Sequence, residues 1–195
     1  MRKFREPQKR QRNPKIFVIT EGTKTEPEYF LMLKEGKRKD IAMEVFSSDG
    51  KTNPLQLLEA FKKKLEKYGF DTDCGDEAFL VLDMDYNTPK DFKELLKWEK
   101  GSKNCYNIIS NPCFEYWLLL HFEDIKGHLT LEKCKEALKR HITDYDKGID
   151  ERKFFPNVKM AISRAEKIDS LNKDIPITQR NGSEVFKIVK RLLSL

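Results

Sequence analysis

Apolar and polar positions follow two periods along this chain. Lys15-Ile16-Phe17-Val18-Ile19-Thr20, Ala78-Phe79-Leu80-Val81-Leu82 and Tyr106-Asn107-Ile108-Ile109-Ser110 are short apolar runs that stop at polar residues. Runs without polar alternation read as strands buried on both faces of a parallel sheet. Ile41 to Phe46 is a weaker, alternating strand, and Ser47 to Asn53 a polar loop. Between these runs the period becomes helical. Thr25, an N-cap with Glu28 three residues on as its capping-box partner, precedes the apolar face Tyr29, Phe30, Met32 and Leu33. Leu55, Leu58, Phe61, Leu65 and Tyr68 share a second helical face that ends at Gly69, and Asp91 to Lys100 forms a third helix. Strands alternating with helices predict an α/β fold, a Toprim- or Rossmann-like parallel sheet of about four strands with right-handed crossovers. Its ligand site belongs at the carboxyl ends of the strands.

From Asn111 onward the pattern is helical. Helices are expected from Pro112 to about Phe122, with Asn111 as N-cap, from Leu131 to His141, from about Phe155 to Leu171, and from Ser183 to the end. Asp144 to Lys153 reads as a mobile polar loop. At 195 residues the chain suits one domain, expected over 14–195, and 38% hydrophobic content supports a core despite 36% charged residues.

The net charge of +6 is unevenly spread: Arg2, Lys3, Arg5, Lys9, Arg10 and Arg12 against Glu6 contribute +5. Residues 1–13 are therefore expected to be a disordered basic tail, either a solubilising leader or a salt-sensitive contact to phosphate backbones. No apolar run is long enough to span a bilayer, and the basic start leads into no hydrophobic region, so no membrane contact and a cytoplasmic location are expected. Cys74, Cys105, Cys113 and Cys134 fall singly, and His121, His128 and His141 do not combine with them as zinc ligands. The lack of a phosphate-binding G-x-x-x-x-G-K-[ST] loop argues against a P-loop nucleotide hydrolase.

Three strand ends carry the chemistry. Glu21 follows the first strand, Asp83 and Asp85 end the third, and Ser110-Asn111 ends the fourth. In an extended chain Asp83 and Asp85 point the same way, and like charges so close call for a shared cation. Oxygen ligands without imidazole or thiolate suit Mg²⁺ or Mn²⁺. The competing reading makes Asp83 and Asp85 solvated loop residues. Glu115, among Phe114, Trp117 and Leu118, either supports the site or ligates the metal, or else merely favours the first turn of its helix. Lys24 lies where a substrate phosphate could meet a helix N-terminus, with a solvated side chain as the alternative. Asn111 orients a water or phosphate or forms a turn; His121 is packed or catalytic; Arg164 points toward the site or into solvent.

These residues carry a resemblance. Strand-Glu21-Gly22 followed by strand-Asp83-x-Asp85 is similar to the Toprim domain of topoisomerases, primases and several nucleases. Val18-Ile19-Thr20-Glu21-Gly22-Thr23-Lys24-Thr25-Glu26, Leu82-Asp83-Met84-Asp85 and Ser110-Asn111-Pro112-Cys113-Phe114-Glu115-Tyr116-Trp117 together resemble the RloB-like family of bacterial and archaeal proteins. The resemblance runs from about Lys15 to Phe122, with an echo at Asn181 to Leu193, where Asn181-Gly182-Ser183 replaces an expected Asn-Pro turn. It implies a metal-dependent nuclease cleaving DNA or RNA, tRNA included, in mobile-element or phage defence, beside an ATPase of the SMC/ABC type. It also implies that Glu21 is general acid/base and that Asp83 and Asp85 hold Mg²⁺. Glu21 joins them as a ligand in the expected site, and Glu115 joins Glu21 as a catalytic candidate. A non-cutting nucleic-acid-binding or regulatory subunit is the alternative, and a phosphotransferase acting on a small nucleotide is a third reading. Homo-oligomerisation stays open.

Overall fold

The computed structural model describes residues 12–36, 42–48, 50, 53–85, 87, 90, 92–142 and 148–194. Its elements are β1 (Lys15–Thr20), α1 (Thr25–Gly36), β2 (Ala42–Ser47), α2 (Pro54–Lys67), β3 (Glu77–Asp83), α3 (Lys93–Gly101), β4 (Cys105–Asn111), α4 (Phe114–Leu119), α5 (Leu131–His141), α6 (Glu151–Phe154), α7 (Val158–Leu171), β5 (Gly182–Ser183) and α8 (Val185–Ser194). The expected α/β class is found, as a mostly parallel five-stranded sheet flanked by helices, with a helical C-terminal part.

Strand order is β2-β1-β3-β4-β5. The first four strands run parallel, and β5 pairs antiparallel with Ser110 and Asn111 alone. From β1 the chain first moves one way to β2, then returns past β1 to β3. The winding therefore reverses between β1 and β3, where such sheets open a crevice beyond their carboxyl ends.

Pleating divides the core in two. Ile16, Val18, Phe79, Val81 and Ile108 face α1 and the C-terminal helices, in a cluster with Tyr29, Phe30, Trp117, Phe154 and Ile188. Their sequence neighbours Phe17, Ile19, Ala78, Leu80, Leu82 and Ile109 face α2 and α3, against Leu57, Leu58, Phe61 and Leu95. Burial on both faces is why these runs show no alternation. The helix α2 begins where expected: Asn53 Oδ1 accepts from Leu55 N at 3.0 Å and Gln56 N at 3.4 Å, and Pro54 fills the first turn.

Several boundaries differ from the sequence reading. Asn111 is the last residue of β4, not a helix cap; it is joined to Pro112 by a cis peptide, and α4 starts at Phe114 with Cys113 in the cap position. The helix α1 starts at Thr25 itself, and Glu28, expected to cap, has its carboxylate on Ile149 N at 3.1 Å. Thr143 to Lys147 lie outside the described residues, but the rest of the expected 144–153 loop is not loose. Asp150 accepts from Arg152 N at 3.1 Å and starts α6, which leads through a tight turn at Pro156 into α7. Ile41 and Asp91 also lie outside the described residues, as does the basic tail up to Gln11. Arg12 is held: its guanidinium binds the fully buried Asp76, which also accepts from Lys15 N at 2.8 Å and Asp71 N at 2.9 Å. Among the described residues no helix is long and apolar enough to cross a membrane, and all four cysteines are free.

Candidate functional site

The switch point is built by hydrogen bonds that continue the sheet past its last strand residues. Glu21 N donates to Val81 O at 3.0 Å, and Ser48 Oγ donates to Glu21 O at 2.6 Å. Thr20 Oγ1 donates to Gly22 O at 2.8 Å and tightens the turn. The Glu21 side chain then reaches across to β3, where its Oε2 accepts from Asp83 N at 3.1 Å. On the other side, Met84 N donates to Ser110 O at 2.8 Å and Asp85 N to Pro112 O at 2.7 Å, so the end of β3 is anchored to β4.

One premise of the sequence reading is corrected. β3 stops at Asp83, and Asp85 has φ +38°, in the left-handed region. Pleating does not align the two aspartates; a turn brings Asp85 round to the same cavity, exposed, while Asp83 Oδ1 is buried with no hydrogen-bond partner.

That cavity, of about 300 Å³, gathers five carboxylates, from Glu21, Glu26, Asp83, Asp85 and Glu115, with two lysines, Lys24 and Lys135. The charges are held where water cannot screen them fully. Burial pushes Glu21 up to about 7, against the pull of the Asp83 N–H group and with Asp85 and Glu26 adding to the rise. Burial also raises Asp83 well above the usual carboxylate range, helped by the charges of Glu26, Glu115, Glu21 and Asp85. Glu115, 7% exposed, sits in the first turn of α4, and Phe114 beside it closes part of the wall.

Glu26 and Lys135 were missed as site residues. Glu26 lies in the first turn of α1. It is 8% exposed and is the largest charge acting on Asp83. Gly22 makes room for it: a Cβ there would lie 1.9 Å from Glu26 Oε2. A glycine directly after Glu21, with a second glutamate five residues beyond the first, was the available signal. Lys135 arrives from α5, outside the sheet, and no motif marked it.

Three expected substrate contacts are not brought to this cavity. Asn111 Nδ2 donates to Ile177 O at 3.0 Å. Arg164 donates through Nη1 to Leu120 O at 2.8 Å and pairs with Asp124 at 3.3 Å. His121 is 2% exposed among Tyr29, Trp117 and Phe154. Its Nδ1 lies 3.2 Å from the Trp117 and Leu118 carbonyls, which only accept, so Nδ1 carries the hydrogen and Nε2 accepts from Tyr29 Oη at 3.1 Å. Burial pushes its pKa down to about 4. A larger groove of about 370 Å³, mostly apolar, runs along the outer edge of β4 and contains none of the five carboxylates.

Among the described residues no group of three or more His, Cys, Asp or Glu side chains stands as a ready-made metal cage. The donor chemistry nonetheless fits a hard cation: carboxylate oxygens only, one of them buried and without a partner. Mg²⁺ in particular uses one or two carboxylates and keeps waters and substrate oxygens elsewhere. Asp83, Asp85 and Glu21 are the side chains that could hold one, with Glu26 and Glu115 adjoining.

Fold and site together define an α/β protein with a carboxylate cluster at the switch point of a parallel sheet. The family described as RloB-like protein matches residues 16–192, and the chain belongs to that family. No curated protein and no solved structure matches it.

Proposed function

We propose that this protein is a Toprim-type phosphodiester hydrolase, dependent on Mg²⁺ or Mn²⁺, that cleaves DNA or RNA. The observation that carries the reading is the convergence of Glu21, Asp83 and Asp85 on one cavity at the switch point, with Asp83 Oδ1 buried and unpartnered. When bound, a divalent ion there supplies charge to the scissile phosphate and acidifies a water. Asp83 and Asp85 would hold the ion, which would offset the burial and crowded negative charge that raise Asp83. Without a metal Glu21 is raised to about 7, and a cation beside it would lower that value; its Oε1 edge, not used by the Asp83 N–H group, is the part of the carboxylate that could take and return a proton. Fixed by the Asp83 N–H bond, the carboxylate needs no reorientation to do so. Glu26 and Glu115 enlarge the negative field and add ligand oxygens.

A role in mobile-element or phage defence, a cytoplasmic location and an SMC/ABC-type ATPase partner extend the reading by family resemblance. The second reading, a regulatory subunit that binds nucleic acid without cutting, draws on the lack of a ready-made cage among the described residues.

Purified protein incubated with end-labelled single- and double-stranded DNA and RNA tests the choice. Cleavage should require Mg²⁺ or Mn²⁺, stop with EDTA, and fall by at least ~100-fold in Glu21→Gln and Asp83→Asn. Undiminished cleavage by both variants would remove these residues from the mechanism.

A further inference from the structure

We propose that Lys135 is a positioning residue that grips a phosphate of the substrate beside the carboxylate cluster. This rests on the hydrolase reading of the same cavity and deepens it, by making an oligonucleotide rather than an uncharged or cationic compound the ligand that the cavity selects.

The helix α5 lies outside the sheet, and its buried residues Cys134 and Leu138 join the core cluster that includes α4. Thr130 fixes its start by accepting from Lys133 N at 3.4 Å. Lys133 and Lys139 lie away from the carboxylates, whereas Leu131 and Lys135, four residues apart and so on one helix face, line the acidic cavity. Lys135 is half-buried there.

The charge of Lys135 is felt by Glu132, three residues back on its own helix, but the two form no ion pair. Some lysines of this molecule close onto nearby acids, as Lys62 does on Glu59 at 3.0 Å and Lys187 on Glu184 at 2.5 Å. Among the described residues no carboxylate lies within ion-pair distance of Lys135 Nζ, although five line the same cavity. Lys135 instead offers its charge to the space between.

That space needs a cation. Among the described residues five carboxylates against two lysines leave an excess of negative charge, which repels an incoming phosphodiester. A bound divalent ion offsets part of this at the scissile group, and Lys135 adds a fixed positive charge on the cavity wall. Lys24, exposed in the loop before α1, supplies another at the same cavity.

Fluorescence anisotropy of a short labelled oligonucleotide, titrated across salt concentrations in EDTA and again in Ca²⁺, tests the contact. Lys135→Met keeps the apolar stem and removes the charge. It should weaken binding roughly 5- to 10-fold near ~0.1 M salt and lower the slope of log K against log salt by about 0.7 to 0.9. Lys135→Arg should restore both, and Lys139→Met, on the same helix but away from the cavity, should change neither. Wild-type affinity and slope in Lys135→Met, or an equal loss in Lys139→Met, overturns the proposal. The two readings fail separately. Cleavage by wild type with unchanged binding by Lys135→Met ends the lysine contact alone. No cleavage in any metal, with the slope still lowered, ends the hydrolase reading and keeps the contact.

Discussion

Replacing Glu21 by Gln should stabilise the metal-free protein, and only at neutral and higher pH. Gln keeps an oxygen to accept from Asp83 N, so the bond across the switch point survives while the charge is removed. The folded carboxyl titrates at about 7 against an ordinary value of 4.5, so the folded state holds this proton more tightly than the unfolded chain does. Folding stability is therefore unaffected by this group below about pH 4.5, falls between 4.5 and 7, and carries the full penalty above 7. At about 1.4 kcal/mol per pH unit, the penalty is a little over about 3 kcal/mol at pH 8 and under about 1 kcal/mol at pH 5. His121 works in the opposite sense. Its folded value of about 4 against 6.5 makes stability rise across a nearly coincident window, so the wild-type profile alone is uninformative. The difference between Glu21→Gln and wild type cancels His121 and leaves the glutamate together with its share of the rise at Asp83, which has the same sign. Urea unfolding in EDTA at pH 5 and pH 8 reads it directly. A variant less stable than wild type at pH 8, or an advantage that does not grow from pH 5 to pH 8, would refute the burial of this charge. Added Mg²⁺ should then stabilise wild type more than the variant, because only the wild-type site keeps all its ligands.

Two further changes probe the frame around the site. Gly22→Ala places a Cβ where the Glu26 carboxylate stands, so that carboxylate must leave the cavity; metal affinity measured by calorimetry should fall by roughly 10-fold and match Glu26→Gln, and unaltered affinity would exclude Glu26 from the site. Asp76→Ala leaves Arg12 and the Lys15 and Asp71 N–H groups without their acceptor and should cost about 3 kcal/mol in urea unfolding. Burial opposes ionisation of Asp76, but Arg12 and those N–H groups overcome it and hold the carboxyl below its ordinary value of 3.8; its contribution is present above that pH and is lost as pH falls through the lower, folded value.

The parallel strands were legible because residues buried on both faces leave uninterrupted apolar runs, as in Phe79 to Leu82. Glu21, Asp83 and Asp85 were legible because they stand where such runs stop. Pleating does not align the aspartates: β3 ends at Asp83, and a left-handed turn brings Asp85 to the cavity. Glu26 was hidden because a glutamate in a first helical turn already has a local explanation, and only the space left by Gly22 shows its tertiary role. Lys135 could not be found by periodicity, which places α5 as an amphipathic helix without saying what it packs beside. The two residues of β5 are too few to show any period, and the α6–α7 boundary depends on local turns at Asp150 and Pro156.

Crystals grown with Mn²⁺ and measured at a wavelength where manganese scatters anomalously test the shared-cation claim most directly. A peak within coordinating distance of Asp83 and Asp85, with Glu21 or Glu26 drawn toward it, is the predicted result. A fully occupied manganese site elsewhere on the molecule, with these carboxylates unmoved and unliganded, would contradict it.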